Sequence, residues 1–120
     1  MLRDRTIDID PDRDYIREQI RKLVQLIARV LVGAEAGDQA AQDARDELAA
    51  AAGKILGPPY DMIERLTPGS AVRLLKHDPE RVRAYAAIVG AESDLLARMG
   101  DLAGAARKAA RAQDLLHQLG

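Results

Sequence analysis

The residues of this 120-residue chain that could do chemistry are few. Asp8, Asp10, Asp12 and Asp14 alternate in DIDPDRD and have the look of a calcium loop. An EF-hand needs glycine at its sixth position and a bidentate Glu at its twelfth, and counting from Asp8 those positions hold Arg13 and Gln19. The run therefore reads as capping, because carboxylates favour the positive end of a helix. His77 and His117 are the two histidines, each near the end of an expected helix, where partial positive charge is favourable. With no cysteine in the chain, a metal or catalytic role would need both histidines to converge with carboxylates. Ser70 and Ser93 lack the G-x-S-x-G setting of a nucleophile, and no G-x-x-x-x-G-K phosphate loop occurs. Arg98, Arg107, Lys108 and Arg111, with Arg17, Arg21 and Lys22, form basic clusters that a nucleic-acid face would use. The net charge of −1 and the absence of interleaved aromatics argue for solvated helix faces instead. Pro58-Pro59-Tyr60 matches an extended WW-domain ligand, but fits better as a helix stop that drops a ring on the core.

No segment carries the period-two alternation of a strand, and Ala and Leu supply most of the apolar residues. Helix boundaries are well marked. Asp10-Pro11, Thr67-Pro68 and Asp78-Pro79 each set a capping side chain before a proline suited to the first helical position. Gly37, Gly57, Gly100 and Gly120 each follow a helical stretch. The expected elements are helices over 11–34 and 38–56, short helices over 60–66 and after Thr67-Pro68, and long helices over 79–99 and 101–119. This is one all-α domain: an N-terminal hairpin at 11–56, a segmented linker at 57–78 and a C-terminal hairpin at 79–119.

Within the first helix Ile16, Ile20, Leu23, Ile27, Val30 and Ala34 repeat at 4-3-4-3-4 spacing, widened by Val24 and Leu31. The first five of these are the candidate interaction surface, and a homodimer through the first helix is the expectation. The last helix presents Leu102, Ala105, Ala109, Ala112, Leu116 and Leu119 as its apolar face. The halves also echo each other: Gly37-Asp38 and Gly100-Asp101 stand 63 residues apart, as do Gly57 and Gly120.

The stretch AESDLLARMGDLAGAARKAARAQDLL, residues 91–116, resembles a tetratricopeptide (TPR) repeat. Gly100-Asp101 matches its turn, and Ala105 and Ala112 match the small residues wanted where its helices cross most closely. It departs by lacking a large aromatic between the two alanines and by carrying Gln113 where a leucine is usual. In the first half Gln42 replaces the first alanine, while Ala49 fits the second. From DYIREQIRKLVQLIARVL to the TPR-like end, the chain also resembles an uncharacterised bacterial family of short helical proteins, which implies no activity. No apolar run follows the basic residues of MLRDRTIDIDPDRD, and no stretch is long and apolar enough for a bilayer, so a cytoplasmic setting is expected. The reading is a non-enzymatic protein–protein interaction module with no cofactor. Its rivals are small-molecule or metal binding by carboxylates with His77 or His117, and, more weakly, nucleic-acid binding.

Overall fold

A computed structural model describes the backbone of residues 11–120 and the side chains from Arg13 onward. It is all-helical, and no strand occurs among the described residues. Helix α1 spans Pro11–Gly33, followed by a 3-10 turn at Ala34–Ala36. Helix α2 spans Asp38–Leu56, α3 Tyr60–Glu64, α4 Pro68–Leu74, α5 Pro79–Arg98 and α6 Leu102–His117. Each expected helix is present within about two residues at its ends.

The caps explain those ends. Thr67 Oγ1 accepts the Ser70 N–H at 3.2 Å, Asp78 Oδ1 that of Glu80 at 3.1 Å, and Asp101 Oδ1 that of Gly104 at 2.9 Å. Each satisfies one of the donors that a helix start leaves without an internal partner. The proposed Asp10 cap lies outside the described residues. Gly57 and Gly100 close α2 and α5 at φ of +91° and +87°, which a side chain would strain. Helix α4 ends differently: Lys76 and His77 stand at φ of +61° and +56° without being glycine. The His77 N–H still reaches the Val72 carbonyl at 3.0 Å, so the turn is closed at some backbone cost.

The long helices alternate in direction. Arg29 bonds Glu47 across α1 and α2, and Glu92 and Tyr85 of α5 meet Lys108 and Arg111 of α6, so each hairpin is antiparallel. Helices α1 and α5 run parallel and side by side. Their contacts carry the 63-residue offset of the sequence echo: Arg17 meets Glu80, and Glu35 meets Arg98. The repeat is therefore a stacking of two hairpins in register, with α3 and α4 bridging them. Helix α2 packs against α5 from the same side as α1, while α6 covers the opposite side and receives α4.

Helix α5 is thus the centre of the molecule. It buries Val82, Ala84, Tyr85, Ala86, Ile88, Val89, Ala91, Glu92, Leu95 and Leu96. Small residues on its second face let α1 approach. Helix α2 contributes Ala41, Ala44, Leu48, Ala52, Ile55 and Leu56 to the core. Met62 is 50% exposed, because α3 is too short to bury more than one face; Tyr60 and Ile63 take that face.

Two expectations about faces need correction. Ile16, Leu23 and Val30 of the α1 seam are buried in the chain's own core, and Ile20 and Ile27 pack against that core. Most of this seam is therefore covered by α2 and α5, and only its outer edge at Ile20, beside the exposed Val24, stays open. Helix α6 is turned relative to its expected face: Leu102 is 69% exposed, Leu116 is 41% exposed and Ala109 is exposed. Gly104, Ala105 and Leu115 point inward instead, beside Lys108, Arg111 and Ala112.

Candidate functional site

The parallel placement of α1 and α5 leaves a shallow groove of about 220 Å³ between them, with room for one large side chain. Its α1 wall is Ile20, Leu23 and Val24, and its α5 wall is Ala84 and Ala87. Leu23 is the buried floor, whereas Val24 is 60% exposed. The groove is apolar because the outer edge of the α1 seam overhangs two alanines too small to fill the space.

Glu80 and Arg83 stand at its rim. Arg13 bonds both Asp78, at 3.1 Å, and Glu80, and Arg17 reaches Glu80 at 3.1 Å. The Arg13 hydrogen bond, with help from Arg17, holds the Glu80 carboxyl below the usual carboxylate range. For Asp78, burial works to raise the carboxyl, but hydrogen bonds from Arg13 and the Glu80 N–H, with the charges of Arg13 and Arg81, hold it lower. The same two carboxylates raise the Arg13 guanidinium, Glu80 most. These pairs tie the start of α1 to the start of α5 and fix one mouth of the groove. A second and larger depression, about 450 Å³ between α1 and α2, is edged by Lys22, Arg29, Glu47 and Lys54 and is far more polar.

Away from the groove, Glu64, Glu92, Lys108 and Arg111 form a cluster with Tyr60 and Tyr85 under α6. The Tyr60 hydroxyl donates to Glu92 and the Tyr85 hydroxyl to Glu64. Lys108 Nζ bridges both carboxylates, at 3.2 Å to Glu92. Arg111 donates to the Tyr85 hydroxyl at 2.7 Å and to the carbonyls of Ile63 and Leu66 at 2.9 and 2.7 Å. The Tyr60 and Tyr85 rings meet edge to face at 5.9 Å. Burial, reinforced by the Glu92 and Glu64 charges, pushes the Tyr60 hydroxyl far up. Burial and the Glu64 hydrogen bond do the same to Tyr85, against the opposing pull of Arg111. Two carboxylates face two cations, each in contact, so the cluster is charge-balanced and hydrogen-bonded throughout. Its chemistry is that of a structural lock between α3, α5 and α6.

The residues singled out in the sequence fall as follows. Asp8 and Asp10 lie outside the described residues, as does the Asp12 side chain, and Asp14 is exposed. His77 and His117 are both exposed, and among the described residues no three His, Asp or Glu side chains are grouped to hold a metal. The basic cluster at the C-terminal hairpin disperses: Lys108 and Arg111 turn inward, Arg98 pairs with Glu35 at 3.7 Å, and Arg107 is exposed with no ion-pair partner among the described residues. Tyr60 is 9% exposed and drops its ring on the core, as expected of a helix stop. Gly100 makes the hairpin turn, and Ala105 and Ala112 lie on the α5 side of α6, where Ser93 Oγ donates to the Ala105 carbonyl at 2.7 Å. Ile20, Leu23 and Val24, the α1 wall of the groove, belong to the seam singled out in the sequence, whereas its α5 wall and the lock were not marked there; the 63-residue echo is the sign that α1 and α5 lie together.

Compared with protein-family models, with curated proteins and with solved structures, the chain finds no match in any of the three. No helix among the described residues is long and apolar enough to cross a membrane.

Proposed function

We propose that this protein is a protein–protein interaction module, a small helical adaptor or scaffold that works by surface recognition without catalysis. One observation carries the reading: the apolar groove between α1 and α5, with Val24 60% exposed at its edge. Exposed apolar concavities of this kind are where proteins receive partner side chains. Two hairpins stacked at a constant offset are TPR-like in arrangement, and such stacks present the first helices of successive hairpins as a binding surface. The resemblance of residues 91–116 to a TPR repeat agrees with that arrangement. The carboxylates and cations under α6 are engaged with one another, and the two histidines are exposed and ungrouped, so surface contact is the better use of this fold. We assign its action to the bacterial cytoplasm.

The test is affinity capture from the native cell with the intact chain, Val24→Glu and the off-groove control Gln25→Glu. Val24 and Gln25 are exposed, so neither change disturbs the core. A partner retained by the control and depleted about tenfold or more by Val24→Glu supports the reading, on the scale of a charge placed in an apolar contact. An identical set of captured proteins for all three chains would remove the groove from consideration.

A further inference from the structure

The face that carries the α1–α5 groove continues along α5 beyond it. Arg83, Ala87, Gly90 and Asp94 follow one another at 4-3-4 spacing, which keeps all four within about 60° of arc on the helix. Arg83, Ala87 and Asp94 are exposed and Gly90 is half-buried. Arg83 and Asp94 therefore project from the middle of this face rather than from its flanks. Glu80 and Arg98, nearer the ends of α5, are engaged within the chain by Arg17 and Glu35. Arg83 and Asp94 have no ion-pair partner among the described residues. They lie about 16 Å apart along the axis, too far to pair with each other. Gly90 between them weakens the helix relative to alanine, and a methyl group there would meet nothing within 4 Å. The chain's own packing gives no reason for that glycine.

A second copy laid face to face and antiparallel accounts for all of this. With a two-fold axis lying across α5 midway between Ala87 and Gly90, Arg83 stands opposite Asp94 of the partner subunit, and Asp94 opposite Arg83 of the partner subunit. Ala87 stands opposite Gly90 of the partner subunit, and groups this small let the backbones approach until both ion pairs are within side-chain reach. The same axis suits α1. The 63-residue offset sets Val24 level with Ala87 and Ile27 level with Gly90. The axis then crosses α1 between Val24 and Ile27, so Val24, 60% exposed in the isolated chain, meets Val24 of the partner subunit and the groove is covered. Parallel copies in register would instead oppose arginine to arginine and aspartate to aspartate, which like charges disfavour.

We infer that the α1–α5 face is the contact of a homodimer, in which two copies pair antiparallel about Val24, Ala87 and Gly90 with reciprocal Arg83 to Asp94 ion pairs. This names a second copy of the chain as the occupant of the groove and rests on the interaction reading above. The contact is two helices wide and a few turns long, at the small end of specific interfaces, so the dimer should form in the micromolar range.

The absence of cysteine makes the test direct. Ala87→Cys and Ala97→Cys each place one thiol at an exposed position of α5, and both chains are checked for native helicity before oxidation. Ala87→Cys lies beside the axis, about 4.5 Å along it from its own copy, and should close rapidly into a disulfide-linked dimer. Ala97→Cys lies about 25 Å from its own copy in the antiparallel pair and should not. Sedimentation across a concentration series then reads the charges. Arg83→Asp or Asp94→Arg alone should weaken association about tenfold, and the double exchange should restore it to within about threefold, since the swap rebuilds both pairs in the opposite sense. A strict monomer at every concentration overturns the inference, as does Ala97→Cys closing on itself as readily as Ala87→Cys. The two readings fail separately: a monomer from which Val24→Glu still depletes a captured protein keeps the groove for another partner, whereas an identical capture by every chain removes the groove itself.

Discussion

At the scale of single residues, the lock under α6 dominates. Glu92 is 4% exposed and accepts from both Tyr60 and Lys108. Removing Glu92 leaves two cations facing the single carboxylate of Glu64 and the Tyr60 hydroxyl without its acceptor. Glu92→Ala is therefore expected to cost about 3–5 kcal/mol in urea unfolding, the usual result of breaking one side of a buried pair. The tyrosines add a pH dependence whose sign is fixed. Their folded pKa lies above the unfolded value of about 10, so the stability they contribute is full below pH 10 and falls as pH rises beyond it. An alkaline titration followed by circular dichroism should show helix lost above about pH 10, with Tyr60→Phe shrinking the effect. At the groove mouth the sign reverses. Asp78 and Glu80 are held below their ordinary range, so their contribution is present at neutral pH and fades as pH falls below about 4. Arg13→Ala should flatten that acid limb. None of these partnerships was legible in the sequence. Lys108 and Arg111 read as surface charge, because their burial depends on carboxylates and carbonyls contributed from 16 to 48 residues away.

At the scale of elements, helix ends were legible and helix orientation was only partly so. The capping side chains and proline starts act within three or four residues, so one sequence contains the whole cause. Which way a helix faces depends on its neighbours. In α1 a wide apolar seam left no choice of face, and its inward direction follows. In α6 the apolar residues surround more of the circumference, and the inward face was decided by Lys108 and Arg111 finding partners. The end of α4 offers a test of local cost. Lys76 occupies left-handed backbone at φ of +61°. Lys76→Gly should raise stability by about 0.5–1 kcal/mol in thermal unfolding, the relief of a crowded side chain less the extra freedom glycine gains when unfolded. A loss of stability would show that the lysine stem contributes packing that exposure alone does not reveal.

At the scale of the whole molecule, α5 is covered on one side by α6 and on the other by α1 and α2. The C-terminal hairpin is therefore not a self-sufficient unit, although it is the part that most resembles a repeat. Residues 79–120 prepared alone would expose Ala84, Ile88, Ala91 and Leu95 to water. They should show little helix by circular dichroism and associate, whereas the intact chain unfolds in a single transition. A stable, monomeric, helical fragment would contradict the view that the hairpins depend on each other. The 63-residue echo was readable, and its meaning was not, because a spacing cannot say whether equivalent helices lie side by side or at opposite ends.

The two core tyrosines also give the protein a distinctive optical behaviour. There is no tryptophan, so its ultraviolet emission comes from tyrosine alone. An excited phenol is a much stronger acid than one in the ground state, and Tyr60 and Tyr85 each hold their proton against a carboxylate oxygen. In the native protein that proton can shift on excitation and quench the ring, leaving Tyr15 as the brighter emitter. Unfolding breaks both contacts, so this chain should become more fluorescent as it denatures, a built-in reporter of the lock that needs no label.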